Sequence, residues 1–132
     1  MSDELEMVLR ILLAMALGAI IGFQRGKAEK PAGMRDLILI STGSALFTVV
    51  SIYGFGADSA RVAAGIVTGI GFLGAGAIIR RGEGGIVKGL TTAATIWMTA
   101  GIGLAAGAGM YIIAAVTTFL VLVILFLPHR IA

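Results

Sequence analysis

The residues of this chain that could do chemistry are few, and most lie at the ends of long apolar runs. Gln24 and Arg25 close the first run, Arg35 and Asp36 open the second, and Asp58 and Arg61 stand at the start of the third. Asp58 and Arg61 are three apart, a spacing that permits pairing on one helical turn. Asp58 also suits a helix N-cap, where its carboxylate meets free N–H groups and the positive end of the dipole. Capping and pairing are therefore stronger expectations than metal ligation. Magnesium keeps several waters and needs only one or two carboxylates, but one carboxylate makes a poor site. No metal site and no cofactor is expected. The sequence offers no Ser/His/Asp set or paired carboxylates in a plausible context, and Cys is absent, which excludes thiolate nucleophiles and disulfides. The single His, His129, stands beside Arg130 near the C-terminus and reads as an anchor rather than a base. No catalytic residue is assigned, and an enzyme is not expected.

One stretch imitates a phosphate loop. "GIGFLG" at 69–74 fits the glycine fingerprint of dinucleotide-binding folds. That fingerprint needs a strand before it, a soluble helix after it and an acid about 20 residues further on. Instead "ARVAAGIVT" precedes it, the only nearby acid is Glu83, and the glycines sit in mid-run. Close helix packing is the better account. Gly65 and Gly69 form a small-xxx-small pair, and Gly71, Gly74 and Gly76 thin the rest of the surface so that neighbouring backbones can approach. The sharper alternative is a discontinuous helix whose freed backbone groups face a substrate near the midplane.

The elements that carry these residues are membrane spans. The chain is 58% hydrophobic and 13% charged, with a mean hydropathy of +1.04, against roughly 45–50% apolar residues in soluble domains. Runs at about 5–23, 37–55, 60–79, 89–107 and 110–127 are near the length needed to cross about 30 Å of hydrocarbon. The expected architecture is thus all-α: a polytopic transmembrane bundle of about five spans, forming a single domain over 1–132 with no room for a soluble C-terminal domain. Basic residues follow the first, third and fifth runs, whereas "FGADSA" and "AGAG" carry none. This alternation places the N-terminus outside and the C-terminus inside. The net charge of +3 is spent on orientation, so the bilayer and not nucleic acid is the expected partner.

Within the runs, small and polar residues fall on faces. Ala14, Gly18 and Gly22 repeat every four residues, and their face continues into Arg10 and Glu6, an i, i+4 pair in the favourable order. This pair is expected at the interface, with Arg10 snorkelling. Ser41, Ser44, Thr48 and Ser51 place four hydroxyls on one face of the second span. Thr91, Thr95 and Thr99 do so on the fourth, with Thr92 alongside. Such stripes either glue helices or line a water-filled path, and the absence of a mid-membrane carboxylate favours glue. Trp97, near the middle of its span, is expected to fill the bundle core.

"GFQRG" at 22–26, "AGMRD" at 32–36, "DSARVAAGIVTGIGFLGAGAI" at 58–78, "KGLTTAATIW" at 88–97 and the following "GAGMY" resemble, in order and spacing, the membrane domain of the MgtC/SapB family. The resemblance covers roughly residues 18 to 111. It implies a multi-pass protein of the bacterial or archaeal cytoplasmic membrane (the cell inner membrane), associated with growth at low magnesium and with survival inside host cells. Members are often described as accessory proteins of magnesium-transport ATPases, although they lack ATPase machinery. The resemblance further implies action on other membrane machines more than transport. It marks Gln24, Arg25, Arg35, Asp36, Asp58, Arg61, Thr91, Thr92 and Thr95 as motif residues. Three departures stand out. Gln24 replaces a frequent Glu, Thr91 stands where some members carry Asn, and many members add a soluble C-terminal domain.

Two functions follow. The preferred one is a regulator of other membrane machinery in magnesium homeostasis, whose glycine faces (Gly18, Gly22, Gly65, Gly69, Gly71, Gly74, Gly76) bind copies of itself, as a dimer or larger, or spans of a partner such as an ATPase. The alternative is a small oligomeric transporter or channel for magnesium or another cation.

Overall fold

The computed structural model describes residues 3–55, 59–79 and 89–127. They form α1 (Asp3–Lys27), α2 (Met34–Val50) with a π-helical turn at Ser51–Phe55, α3 (Ser59–Ile79), α4 (Leu90–Gly107) and α5 (Tyr111–Leu125). No strand occurs among the described residues. Four of the helices are long and apolar enough to cross a membrane. The expected fifth span is represented by α5, whose 15 residues rise only about 22 Å.

The helix boundaries have local causes. α1 carries Asp3, Glu4 and Glu6 in its first turn and Arg25 and Lys27 in its last, each set opposing the nearer pole of the helix dipole. It ends in a Schellman turn: Lys30 N–H donates to Arg25 O at 3.0 Å and Glu29 N–H to Gly26 O at 3.1 Å, with Glu29 left-handed at φ 54. Pro31 then prevents continuation. The same motif closes α4, where Met110 N–H donates to Ala105 O at 2.9 Å and Gly109 N–H to Ala106 O at 3.1 Å, and here glycine occupies the left-handed position at φ 84.

α1, α2 and α4 each pack on the other two. Glycines bring the backbones together around Ser41, which is fully buried. A Cβ on Gly18 would strike the Ser41 side chain and come within 2.8 Å of Leu37 O, and one on Gly22 would lie 2.5 Å from Met34 Cα. From α4, a Cβ on Gly103 would strike the Ser41 backbone, and one on Gly107 would lie 2.8 Å from Ala45 O. α2 is thus held by two small-xxx-small pairs, one on each neighbouring helix. Ile21, Leu37, Ile102 and Ala106 fill the remaining core, and α5 adds Ala114 and Val121.

α3 stands apart. It packs chiefly on α4, and only Ile66 and Gly74 of its described residues are buried. Between it and α2 runs an open apolar groove of about 600 Å³, walled by Leu39, Gly43 and Phe47 on one side and Val62, Gly65 and Gly69 on the other.

Trp97 does not fill the core; it is 55% exposed. The inward arc of α4 is set by Thr92, Ile96, Thr99, Gly103 and Gly107, and one residue beyond Ile96 turns the chain by about 100°. The indole therefore lies outside, beside Gly71, Gly74 and Ala93.

Candidate functional site

Two buried arginines of α1, Arg10 and Arg25, anchor polar clusters at opposite ends of the bundle, and a file of hydroxyls runs between them. At the end bearing the α1–α2 loop, Arg25 is only 2% exposed. It is not a loop residue, because α1 continues past it to Lys27. Its Nη2 donates to Thr92 Oγ1 and, at 3.0 Å, to Pro31 O. This contact joins two of the sequence motifs across α1 and α4. The neighbouring Gln24 is half-buried, and its Oε1, like Arg25 Nε, is enclosed without a hydrogen-bond partner.

Along the file, Thr95 Oγ1 donates to Thr91 O at 2.8 Å, Thr48 Oγ1 to Ser44 O at 2.8 Å, and Ser41 Oγ to Ile38 O at 3.2 Å. Ser44 Oγ reaches across to Ala100 O on α4 at 2.7 Å. All four hydroxyl residues of the α2 face are buried. On α4 the buried threonines are Thr92, Thr95 and Thr99, whereas Thr91 is exposed, so the inward stripe begins one residue later than the four-residue spacing proposed. Ser51 Oγ and Thr99 Oγ1 are enclosed and have no partner.

At the other end Arg10, 9% exposed, does more than snorkel. Its Nη2 pairs with Glu6 Oε2 at 2.6 Å, Nη1 donates to Gly107 O at 3.0 Å and Nε to Tyr111 Oη at 3.2 Å. Tyr111 in turn donates to Glu6 Oε2 at 3.2 Å. The guanidinium also lies 5.2 Å from the Tyr53 ring centroid, close enough for a cation–π contact. Gly109 is the floor of this cluster, since a Cβ there would sit 3.0 Å from Arg10 Nη2. The sequence reading paired Arg10 with Glu6 but missed Tyr53, Gly107, Gly109 and Tyr111. The available signal was "GAGMY", a turn glycine and an aromatic hydroxyl at the end where a buried arginine needs partners.

The remaining motif residues do not join these clusters. Arg35, Asp36 and Arg61 are exposed. Asp58 lies outside the described residues, so its proposed pairing with Arg61 and its N-cap role do too. Among the glycines, a Cβ on Gly65, Gly69, Gly71 or Gly76 would meet no described atom within 4 Å, and one on Gly74 would lie 3.6 Å from Ala93 Cβ. No group of three His, Asp or Glu positioned to hold a metal occurs among the described residues.

Long apolar helices, a glycine-clasped core and arginines anchored at both ends define a small multi-pass α-helical membrane protein. The chain belongs to the MgtC family, whose model matches residues 11–132. It is 46% identical over 129 residues to YhiD of Escherichia coli (strain K12), whose name marks it as a candidate magnesium transporter, covering 89% of this chain and 59% of that protein. It is 43% identical over 136 residues to protein SrpB of Synechococcus elongatus, covering 93% and 75%. With protein MgtC of Salmonella typhimurium (strain LT2) the identity is 46% over 115 residues, covering 87% of this chain and 49% of the relative. The chain thus spans about half to three-fifths of the length of YhiD and MgtC. No solved structure matches it.

Proposed function

We propose that the protein regulates other membrane machinery in magnesium homeostasis by docking the α3 face onto a helix of a second copy or of a partner such as an ATPase. It acts without catalysis, in the cytoplasmic membrane, with the N-terminus outside and the α1–α2 loop inside. The observation that carries the reading is the set of α3 glycines, Gly65, Gly69, Gly71 and Gly76, at each of which an added Cβ would meet no described atom within 4 Å. In lipid there is no hydrophobic drive between helices, so association depends on backbones that approach closely, and small residues make that approach possible. The name of the YhiD relative supports the link to magnesium.

The test is Gly69→Leu in the full chain, read by crosslinking of co-expressed tagged copies and of candidate ATPases, beside growth at limiting magnesium. Loss of association and of the growth phenotype with unchanged helicity is expected. A fully associated, active variant would refute the reading.

A second reading, a small oligomeric cation channel, is favoured by the unpartnered hydroxyls of Ser51 and Thr99 inside the file. It requires protein-dependent magnesium flux into liposomes that Thr99→Val reduces.

A further inference from the structure

The Arg25 end of the bundle presents an electrostatic problem. The guanidinium is 2% exposed, and its two hydrogen-bond acceptors, the Thr92 hydroxyl and the Pro31 carbonyl, are both neutral. The one ion pair among the described residues is Arg10–Glu6, at the other end. A buried charge without a counter-charge is expensive, and buried charges are normally paired. The C-terminal carbonyls of α1 offset part of this cost, because Arg25 lies in the last turn of that helix. Its aim, however, is toward the first turn of α4, where Thr92 is the third residue. That is the positive pole of an 18-residue helix, so two like partial charges converge.

The first turn of α4 also lacks a side-chain cap among the described residues. Its N-cap is Gly89, left-handed at φ 83, and no described side chain bonds its free N–H groups. Glycine is required there, since a Cβ would lie 2.5 Å from Ala77 O, so the sequence cannot place Ser, Asp or Asn at this position. A bare helix N-terminus, a buried guanidinium with an unpartnered Nε and a threonine hydroxyl are the donors from which oxyanion sites are built. Guanidinium donors in a planar fork suit a phosphate or carboxylate better than a spherical anion. Arg25 stands two residues from the end of a 25-residue helix long and apolar enough to cross a membrane; at about 37 Å such a helix outreaches the roughly 30 Å hydrocarbon core, which brings its ends to the headgroup level.

We propose that the seam between the C-terminal turn of α1 and the N-terminal turn of α4 binds a phosphate group, with Arg25 as the charged ligand and the first turn of α4 as the neutral one. The phosphate enters between the two helix ends, and it supplies the counter-charge that the described side chains do not. A lipid headgroup and free inorganic phosphate share this chemistry and are separated by experiment.

The full chain, purified in a non-ionic detergent and stripped of lipid, is titrated with inorganic phosphate, with short-chain phosphatidylglycerol and with an uncharged diacylglycerol of the same chain length, while thermal unfolding is followed. A rise in Tm of about 5 °C or more is expected at a hundredfold excess over Kd. A rise with inorganic phosphate identifies the free anion, and a rise with phosphatidylglycerol alone identifies the headgroup. In either case Arg25→Gln abolishes it. Should Arg25→Gln fail to fold, Thr92→Val, which removes one hydroxyl and keeps the volume, must weaken the titration at least threefold. Wild-type protein that responds equally to phosphatidylglycerol and diacylglycerol, or to neither phosphate source, overturns the proposal. So does a phosphate response that survives in Arg25→Gln.

Discussion

The glycines of α1 and α4 and the glycines of α3 obey the same spacing rule and do opposite things. Gly18, Gly22, Gly103 and Gly107 are pressed against the backbone or side chains of α2, leaving no space for a methyl group. Gly65 and Gly69 keep the same four-residue interval but face an open groove. A small-xxx-small pattern therefore specifies a surface that can be approached closely, without specifying what approaches it. The partner is decided by topology: α4 lands on α1 and α2, which leaves α3 outside the three-helix contact.

The comparison is most exposed to failure at Gly103. Gly103→Ala should destabilise the folded chain by about 3 kcal/mol, the upper range for overpacking, because the added methyl meets the Ser41 backbone and not a side chain that could rotate away. Thermal unfolding in detergent measures this, and a wild-type midpoint would show that the clasp is loose. Next comes the polar anchor that fixes α4 and α5 to α1. Arg10→Ala should cost about 2 kcal/mol, since it leaves the Gly107 carbonyl and the Tyr111 hydroxyl short of a charged donor. Tyr111→Phe, which removes only the hydroxyl held by Arg10 and Glu6, should cost about 1 kcal/mol in the same assay. The smallest effect on the fold is expected at Gly69. Gly69→Ala should shift stability by under about 1 kcal/mol, within the range of helix propensity alone, while its crosslinking yield with a second copy or partner falls. A destabilisation as large as that of Gly103→Ala would erase the distinction between the two sets.

Much of this architecture is legible in the amino-acid order. Apolar runs separated by basic or turn-forming segments locate all five helices, and the i, i+4 spacing of Glu6 and Arg10 locates their pair. Gly18 and Gly22 are readable because Ala14 extends their face toward Arg10. Gly103 and Gly107 are harder, because "GIGLAAGAG" is small on every side and periodicity cannot select a face. Trp97 fails for a related reason: α4 has no charged face to mark its outside, so depth within the span says nothing about azimuth. The Arg25–Thr92 contact is invisible to local reasoning, since it joins residues 67 apart. The resemblance marks both residues without bringing them together. Tyr111 was hidden for the same reason, at a separation of 101 from Arg10.

The peripheral place of α3 also has a consequence in time. As the chain emerges, α1 and α2 can dock at once through Gly18 and Gly22, but the second clasp waits for α4. During that interval α3 is already synthesised but lacks α4, its main packing partner, while the α2 surface around Ala45 and Thr48 waits for Gly107. Assembly is thus ordered as hairpin, idle span, lock. The arrival of α4, not of α3, commits the fold, and a nascent chain halted after α3 holds its first two helices without the element that fastens them.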